Sequence, residues 1–288
     1  MDKRILVLGK NGQLGQEIIS FFKKKNIKII SLNSSQCNLE NKNFINKLKK
    51  IKVNIIINCA AYTKVDLAEI KKKKCNRINN IAVGKIAQFC NKNKITFFHF
   101  STDYVFGNMS KPITENSKKN PINFYGKTKL LGERKIINSK CNYIIIRTSG
   151  VYSNQSENFP NKIIELIKKK NELNVIDNQY MSPTSVKTIS KVVYLLLKKK
   201  CIKQIYHVSD REKTTWYKVA NFIKKKIPKK RNIKCKLKKI NSSKFKTLAE
   251  RPLFSYLDCT KIEKELSLKL PNWKIQMEKQ IKYIIKKK

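Results

Sequence analysis

Short apolar runs alternate with longer helical patterns through the first half of the chain, and this alternation constrains the fold more than any other feature. The apolar runs are nearly continuous, as in strands that are buried on both faces of a parallel sheet. They predict five strands, at residues 3–8, 27–32, 53–58, 95–100 and 142–147. The intervening patterns predict helices at residues 13–25, 41–50, 79–92 and 123–138. Right-handed crossovers then give an α/β fold with a Rossmann-like, doubly wound parallel sheet.

The second half of the chain is less regular. Its patterns predict helices at 157–170 and 185–198, strand-like segments at 173–176 and 204–208, and an amphipathic segment at 273–285. No internal repeat and no long linker rich in Pro, Gly or Ser separates the two halves. We therefore predict one large domain over residues 1–150 and a smaller, interleaved C-terminal lobe that lies mainly in residues 151–288.

A glycine-rich turn, Gly9-Lys-Asn-Gly-Gln-Leu-Gly15, directly follows the first predicted strand and opens the first helix. Glycines at this point allow a tight turn and let a pyrophosphate approach the backbone at the helix N-terminus. A plain turn would use the same residues, but the strand–turn–helix context favours a dinucleotide and makes residues 1–150 an NAD(P)-binding domain. The second strand ends at Asn33-Ser-Ser35, with neither the acid that favours NAD nor a basic residue for NADP. The sequence therefore predicts NADPH or NADH.

Two further segments carry groups that suit proton transfer to a carbonyl. Tyr125 and Lys129 are four residues apart in a predicted helix, so they share one face. An ammonium beside a phenol lowers the pKa of the phenol, which can then exchange a proton near neutral pH. Thr102 follows the fourth predicted strand, where open α/β sheets bind ligands, and its hydroxyl can hydrogen-bond a substrate carbonyl. A surface Tyr/Lys pair and an ordinary polar turn are the alternatives.

The segments described so far resemble the extended short-chain dehydrogenase/reductase superfamily and, within it, the dTDP-4-dehydrorhamnose reductase family. The likeness is collinear over almost the whole chain, which is more specific than any single motif. It is carried by Gly9–Gly15, Asn58–Asp66, Ser101–Phe106, Asn123–Glu133, Arg147–Ser149, Gln179, Pro183-Thr184, Thr214–Trp216, Arg251-Pro252, Ser255 and Leu257.

The resemblance implies a role for each matching residue. Tyr125 would donate the proton, Lys129 would hold the nicotinamide ribose and tune Tyr125, and Thr102 would bond the reacting oxygen. Thr102, Asp103 and Gly150 would contact the sugar. The cofactor would bind to those two catalytic residues of the helix, Tyr125 and Lys129, and to a second set: Gly9, Gly12, Gln13, Leu14, Gly15, Asn38, Leu39, Ala61, Tyr62 and Thr63.

The resemblance also implies an activity. NADPH or NADH would reduce the C4 keto group of dTDP-4-dehydro-L-rhamnose to give dTDP-L-rhamnose, a precursor of surface polysaccharide such as lipopolysaccharide. The partner would be the dTDP-sugar substrate. The sequence predicts no metal ligands, and it leaves both a homodimer and a dependence on Mg²⁺ possible.

Three departures from the family pattern keep other functions open. The family usually has an acid at Asn38, a tryptophan at Gly150 and a glycine at Met181. The loss of an indole beside the sugar keeps a reductase or epimerase of another nucleotide-sugar as an alternative. A non-catalytic regulatory subunit, like the β subunit of methionine adenosyltransferase, is a second alternative, although Thr102, Tyr125 and Lys129 are all present.

The charge of the chain suggests a third alternative, a nucleic-acid-binding protein. The sequence has 65 Lys and Arg against 19 Asp and Glu, a formal net charge of +46. Nearly all of this excess is lysine, spread in short runs over the whole chain, whereas base and phosphate recognition favours arginine. We interpret the lysines as compositional drift. They should be solvated and spread over all faces, with no specific nucleic-acid partner.

The cysteines and histidines bear on the compartment. The 8 cysteines form no C-x-x-C pair and the chain has only 2 histidines, which argues against a zinc site. The cysteines read as free thiols in a reducing compartment. The N-terminus shows no signal-peptide pattern, and no apolar run approaches the ~20 residues that span a bilayer. The sequence predicts a cytoplasmic protein with no membrane partner.

Overall fold

The computed structural model describes residues 4–154, 157–199, 201–228 and 234–286. Residue 3, where the first predicted strand begins, lies outside the described residues. Six strands form one parallel sheet. They are β1 (Ile5–Leu8), β2 (Ile29–Leu32), β3 (Ile55–Asn58), β4 (Thr96–Thr102), β5 (Tyr143–Thr148) and β10 (Gln204–His207).

The order of the strands in this sheet is β10-β5-β4-β3-β1-β2. All five strands predicted in the first half are confirmed, and the segment predicted at 204–208 supplies the sixth. The chain leaves β1 towards β2 on one side and returns to β3 on the other, so the strand order reverses between β1 and β3. Open α/β sheets bind ligands in the crevice at such a point. The predicted doubly wound α/β fold is therefore confirmed, and its topology places the site.

Eleven α-helices are present among the described residues. They are α1 (Gln13–Lys23), α2 (Ile45–Lys49), α3 (Val65–Ile70), α4 (Lys72–Asn76), α5 (Ala82–Lys92), α6 (Phe124–Asn138), α7 (Phe159–Lys169), α8 (Val186–Lys199), α9 (Trp216–Lys226), α10 (Thr260–Leu266) and α11 (Trp273–Lys286).

The helices differ from the sequence predictions in three places. The helix predicted at 41–50 is only the five residues of α2, because residues 41–44 form turns. Helices α3 and α4 are not predicted, since their lysine-rich run has no clear apolar period. The start of the helix predicted at 79–92 lies in a π-helical turn, Arg77–Ile81, that joins α4 to α5.

Alternate residues of each central strand pack on opposite faces of the sheet. On one face, Ile55 and Ile57 join a buried cluster with residues of α1 and α8, such as Phe22 and Val193. On the other face, Ile56 joins a cluster with residues of α2, α5 and α6. This period of two explains the continuous apolar runs, because both faces of each strand are covered.

The second half of the chain forms its own core and also returns to the large sheet. Helices α7, α9 and α11 pack around a cluster that includes Ile163, Ile223 and Trp273. A parallel pair of strands, β7 (Glu172–Ile176) and β12 (Lys236–Ile240), lies beside these helices. Four two-residue strands complete the lobe: β6 (Val151–Tyr152), β8 (Tyr180–Met181), β9 (Thr184–Ser185) and β11 (Thr214–Thr215). Strand β10, by contrast, belongs to the six-stranded sheet, and helix α8 packs on one face of that sheet.

The cysteines and lysines have the surroundings that their residue types favour. All eight cysteines carry free thiols. Among the described residues, Lys129 is the only buried lysine. Lysines end many helices, as at Lys23, Lys92 and Lys169, where an ammonium interacts favourably with the helix dipole. None of the helices in the described ranges is long and apolar enough to cross a bilayer.

We expect moderate salt to stabilise the fold. The formal charge of +46 makes the lysines repel one another, and added ions screen that repulsion over a Debye length of ~10 Å at 0.1 M. The melting temperature should rise by a few degrees between low ionic strength and about 0.2 M NaCl. Calorimetry with NaCl and with KCl measures the effect, and equal shifts with both salts identify screening. A melting temperature that falls with salt contradicts the prediction.

A buried carboxylate, Asp210, joins the loop after β10 to β9 and to the first turn of α8. It accepts hydrogen bonds from the hydroxyl of Thr188 at 2.6 Å and from the backbone N–H of Ser185 at 3.0 Å. Burial raises its pKa to about 7, although these hydrogen bonds act in the opposite direction. In the unfolded chain the pKa is that of an ordinary aspartate, so the folded state holds the proton more tightly.

We expect this carboxyl to make the fold less stable as pH rises. Its contribution is complete below its unfolded pKa and is lost as pH rises through about 7. The free energy of unfolding should fall by about 2 kcal/mol between pH 5 and 7 from this group alone. Urea unfolding at several pH values measures this slope. Asp210→Asn should remove it, because an amide does not titrate, and the amide can still bond Ser185 and Thr188. A variant with the native slope would show that Asp210 is ionised throughout this range.

Candidate active site

The glycine turn after β1 is shaped by close backbone packing. Gly9 has a φ of +82°, and a Cβ there would lie 2.7 Å from the backbone nitrogen of Ala60. A Cβ at Gly15 would lie 2.3 Å from the carbonyl oxygen of Gly9. At Gly12 the nearest atom would be 3.4 Å away. Internal packing therefore requires glycine at positions 9 and 15, whereas a Cβ at position 12 would make an ordinary van der Waals contact.

The N-terminus of α1 suits an anion. Gly12 is the exposed N-cap residue and supplies no side-chain cap, and the first turn holds no acidic residue. The first N–H groups of a helix have no partner within it and attract negative charge. The side-chain oxygen of Gln13 is also buried without a hydrogen-bond partner. The turn thus fits the pyrophosphate of a dinucleotide, with Gly12, Gln13 and Leu14 as the residues that would hold it.

A cleft of about 250 Å³ opens beside this turn, at the carboxyl ends of β4 and β5. It brings together residues from distant parts of the chain, and six of the predicted site residues line it. They are Gln13, Thr63, Thr102, Asp103, Tyr125 and Gly150.

A hydrogen-bond network holds Thr102 and Asp103 at the floor of the cleft. The hydroxyl of Thr102 donates to Asp103 Oδ1 at 2.9 Å and accepts from the N–H of Tyr104 at 3.2 Å. Ser149 donates to Asp103 Oδ2 at 2.8 Å. Burial raises the pKa of Asp103, while hydrogen bonds from Ser255, Ser149 and Thr102 oppose that shift. Sequence reasoning predicted Thr102 and Asp103 here but assigned no role to the two serines.

Tyr125 lies on the same cleft, and its pKa corrects one expectation. The Tyr/Lys spacing predicts a lowered pKa, but burial raises the pKa of Tyr125 well above its ordinary value. The carboxyl of Asp103 raises it further, and a hydrogen bond with Thr102 opposes the rise. The ring of Tyr104 lies edge-on, with the centroids 6.1 Å apart. Tyr125 is therefore a protonated phenol at neutral pH, which suits a proton donor.

Lys129 lies one turn along α6 from Tyr125 and is buried behind the cleft. Its Nζ donates to the carbonyl oxygen of Phe100 at 2.5 Å and lies 3.1 Å from Nε2 of His99. Burial lowers the pKa of Lys129 to about 8, and the charge of Glu133 opposes the shift. The sequence predicted the helical face that Lys129 shares with Tyr125 but not its contact with His99.

The remaining predicted cofactor residues lie outside the cleft. Leu14 packs against the core beside α1, and Leu39 is buried in the cluster on the opposite face of the sheet. Asn38 is exposed, and Ala61 is half-buried after β3. Tyr62 is buried, and its backbone is held by the side chain of Asn79, which accepts from its N–H and donates to its carbonyl. The π-helical turn places Asn79 there.

Gly150 and Met181 lie against each other in the cleft wall. Gly150 has a φ of +52°, and a Cβ there would lie 3.2 Å from Cα of Pro183 and 3.6 Å from the sulfur of Met181. A side chain at position 150 would be strained in this backbone. The sulfur of Met181 thus lies beside a glycine whose backbone conformation disfavours a side chain.

A second, larger cleft of about 1020 Å³ adjoins the first and shares Tyr104, Gln179 and Trp216 with it. Phe159 and Trp216 form an aromatic wall, with ring centroids 4.4 Å apart. Sequence reasoning missed Phe159, which has no motif signal. It matched Trp216 to a family segment without giving it a role.

An ion pair at the rim of the larger cleft joins the two halves of the chain. Arg251 donates to both carboxylate oxygens of Asp66, at 2.6 and 3.1 Å, and to the carbonyl of Ala249. Asp66 also accepts from the N–H of Ala249, and Arg251 lowers the pKa of Asp66. Lys162 and Lys246 lie on the same cleft. In the described parts of the chain, no group of three or more His, Cys, Asp or Glu could hold a metal ion.

A doubly wound sheet with this glycine turn, and with Thr102 and Tyr125 on one cleft, defines an oxidoreductase of the short-chain dehydrogenase/reductase type. Comparisons with known proteins narrow this class. Residues 3–285 match the family model described as the RmlD substrate binding domain. The dTDP-4-dehydrorhamnose reductase of Escherichia coli K12 is 31% identical over 289 residues, which cover 96% of each chain.

Two solved structures are similar over nearly their full length. A dTDP-4-dehydrorhamnose reductase from Clostridium acetobutylicum superposes with a TM-score of 0.92 at 31% identity, covering 98% of this chain and 99% of that one. A dTDP-4-dehydrorhamnose reductase from Bacillus anthracis, solved in complex with NADP, has a TM-score of 0.89 at 29% identity and full coverage of both chains. The chain belongs to the dTDP-4-dehydrorhamnose reductase family.

Proposed function

We propose that this protein reduces the C4 keto group of dTDP-4-dehydro-L-rhamnose with NADPH or NADH and so forms dTDP-L-rhamnose. The observation that carries the proposal is the cleft itself. In a member of this family, a hydroxyl, a carboxyl and a protonated phenol converge beside a helix N-terminus that fits a pyrophosphate.

The residues of the cleft divide the chemistry between them. A bound nicotinamide supplies the hydride. The phenol of Tyr125 donates its proton to the oxygen of the substrate as negative charge develops there. Thr102, which here donates to Asp103, can turn its hydroxyl to the same oxygen and stabilise it. Asp103 holds Thr102 in place and, with Ser149, presents polar atoms to the neighbouring hydroxyls of the sugar.

The larger cleft suits the nucleotide end of the substrate. Its aromatic wall of Phe159 and Trp216 offers a face on which a pyrimidine can stack. Lys162 and Lys246 supply positive charge for a diphosphate. Trp216 borders both clefts, so one substrate can reach from this wall to Tyr125. We propose that residues 151–288 form most of this substrate-binding lobe.

A panel of substrates tests the proposed activity. Oxidation of NADPH and of NADH is followed at 340 nm with dTDP-4-keto sugars that differ at C5 and C6, with the Tyr125→Phe variant as the control. Turnover that is fastest with dTDP-4-dehydro-L-rhamnose supports the proposal. The contact between Gly150 and Met181 makes a reductase of a different dTDP-4-keto sugar the second candidate, and faster turnover of another sugar would establish it.

The cellular setting is part of the same proposal. A dTDP-sugar reductase works where NAD(P)H and nucleotide-sugars are made, so we propose a cytoplasmic enzyme that supplies surface polysaccharide synthesis. The free thiols agree with a reducing compartment. A homodimer is proposed on the resemblance alone, and sedimentation at two protein concentrations tests it.

A further inference from the structure

Two buried polar atoms at the smaller cleft have no hydrogen-bond partner among the described residues. They are the hydroxyl oxygen of Thr148, at the end of β5, and the side-chain oxygen of Gln13, at the start of α1. Both residues line the cleft, and Thr148 is only 6% exposed. A buried polar atom without a partner costs free energy, so a ligand that bonds both atoms would be favoured here.

The other contact of Gln13 fixes which way its amide points. Nε2 of Gln13 donates to the backbone carbonyl of Val151 at 3.3 Å. A carbonyl oxygen only accepts, so the amide nitrogen must face Val151, and the unpartnered atom must be the oxygen. Val151 follows Thr148 by three residues, so this bond also ties the start of α1 to the chain that leaves β5. Oε1 of Gln13 is therefore an acceptor with no hydrogen to donate.

The hydroxyl of Thr148 lies on the side of the sheet that α1 covers. Side chains alternate along a strand, so Thr148 shares a face with Ile144 and Ile146. Both isoleucines belong to the buried cluster that residues of α1 and α8 complete. Thr148 and Gln13 thus form a pair of polar side chains on one side of the cleft, which we call the β5–α1 pair.

A third unpartnered hydroxyl, that of Ser101, borders the cleft from the opposite face of the sheet. Ser101 pairs with Arg147, and paired residues of neighbouring parallel strands project to the same face. The guanidinium of Arg147 bonds Glu133 of α6, so Ser101 projects towards α6, the helix that carries Tyr125. Ser101 is therefore not part of the β5–α1 pair.

The position and the chemistry of this pair suit the carboxamide of a nicotinamide. A dinucleotide with its pyrophosphate at the start of α1 must extend its nicotinamide into the cleft that Tyr125 lines, and the pair lies between the two. A carboxamide has two N–H donors and one carbonyl acceptor. The oxygen of Gln13 can only accept, and the hydroxyl of Thr148 can donate. The pair therefore offers one partner for each end of the amide group.

We propose that the side chains of Gln13 and Thr148 bind the nicotinamide carboxamide. Oε1 of Gln13 accepts from its N–H₂ group, and the hydroxyl of Thr148 donates to its carbonyl oxygen. Two bonds to one substituent fix the rotation of the ring, and so decide which face of the ring is turned towards the substrate beside Tyr125. This contact is separate from the one between the backbone of Gln13 and the pyrophosphate.

Binding of the cofactor and of a fragment without the ring tests the proposal independently of turnover. Calorimetry compares NADP⁺ with 2′-phospho-ADP-ribose, which lacks the nicotinamide. Thr148→Val replaces the hydroxyl by a methyl group of similar size, so the affinity for NADP⁺ should fall by about 3–10-fold. Affinity for the fragment should stay within about twofold of the native value. An equal loss for both ligands, or a loss for neither, would overturn the proposal.

Two variants serve as controls for this comparison. Thr148→Ser keeps a hydroxyl at the same position and should keep the native preference for NADP⁺ over the fragment. Ser190→Ala removes another buried, unpartnered hydroxyl, but Ser190 lies in α8 and does not line the cleft. It should leave both affinities unchanged. If Thr148→Ser behaves like Thr148→Val, the hydroxyl is not the group that binds, and the proposal is wrong.

A cofactor analogue separates the two bonds. The 3-acetylpyridine analogue of NADP⁺ has a methyl group in place of the N–H₂ group, so it can accept from Thr148 but cannot donate to Gln13. Thr148→Val should therefore weaken the binding of NADP⁺ and of the analogue by similar factors. Gln13→Met should weaken the binding of NADP⁺ alone, by about 3–10-fold. If Gln13→Met weakens both ligands equally, Gln13 acts through Val151 and not through the carboxamide.

The native protein decides the proposal even if a variant does not fold. It should bind NADP⁺ about 3–10-fold more tightly than the acetyl analogue, and equal affinities would overturn the proposal. None of these measurements uses the sugar. Absence of turnover with every dTDP-4-keto sugar would therefore count against the proposed function, while the binding of the cofactor would still decide this inference.

Discussion

Replacing Tyr125 by phenylalanine should lower the turnover number by about 10²–10⁴-fold, the usual loss when a general acid is removed. The raised pKa of Tyr125 means that the phenol carries its proton throughout the neutral range, so the variant loses the donor rather than a negative charge. The ring itself remains and keeps its edge-on contact with Tyr104. Affinity for NADPH, measured by fluorescence titration, should change by less than about threefold.

Tyr143→Phe is the matched control for this experiment. Tyr143 begins β5, at the end of the strand away from the cleft, and is half-buried. Loss of its hydroxyl should leave turnover and affinity for NADPH near the native values. If Tyr125→Phe and Tyr143→Phe have the same turnover, another group donates the proton, and Tyr125 is wrongly assigned.

The sheet was largely readable from the sequence because its strands are buried on both faces. Burial on both faces favours apolar residues at successive positions, as in the run of three isoleucines from Ile55 to Ile57, and such runs stand out in a lysine-rich chain. The segment that forms β10 was also predicted as a strand, but its position beside β5 in the sheet was not predicted. Nothing in four residues shows which sheet they will join, since each residue of β10 pairs with a residue of β5 that lies 60 positions earlier in the chain.

In the second half, the segments predicted at 157–170, 173–176, 185–198, 204–208 and 273–285 are confirmed as α7, β7, α8, β10 and α11, but the other elements were not predicted. Its two-residue strands, such as Val151–Tyr152 and Thr184–Ser185, are too short to show any period. Strand β12 is mostly lysine and follows residues of no clear pattern, yet it pairs with β7 over five residues. Tertiary contacts decide the conformation of these segments, and local propensity does not.

At the site, the sequence indicated groups by type and spacing but not by their surroundings. Thr102, Asp103 and Tyr125 line one cleft, because the end of β4 carries the first two and one face of α6 carries the third. The predicted lowering of the Tyr125 pKa was wrong, because the spacing of Tyr and Lys does not show that the phenol is buried or that Asp103 lies beside it. His99 was read as one more strand residue. It lies between Phe98 and Phe100 in an apolar run, so the sequence did not indicate its polar contact with Lys129 of α6.

The largest expected loss of stability comes from a buried ion pair that joins α6 to β5. Arg147 donates from Nε to one oxygen of Glu133 at 3.0 Å and from a terminal nitrogen to the other at 2.7 Å. Both side chains are almost fully buried, at 2% and 1% exposure. Arg147 also bonds the carbonyl of Glu115, and its guanidinium lies 5.1 Å from the ring centroid of Phe106. The carboxylate of Glu133 would have no comparable partner without Arg147.

Arg147→Met should therefore lower the free energy of unfolding by about 3–5 kcal/mol, because it leaves the charge of Glu133 buried and unpaired. For a chain of this size that is a fall of roughly 10 °C in melting temperature. Lys169→Ala is the control, since it breaks an exposed pair with Glu165 and should cost less than about 0.5 kcal/mol. Urea unfolding measures all variants at pH 7.

The double variant Glu133→Leu, Arg147→Met separates the charge from the packing. Two apolar side chains of similar size leave no unpaired charge, so much of the loss in Arg147→Met should be recovered. If the double variant is instead less stable than Arg147→Met by a further 2 kcal/mol or more, the two residues contribute through shape rather than charge. Recovery would show that burial of a lone carboxylate, and not the absence of the arginine, is what destabilises the fold.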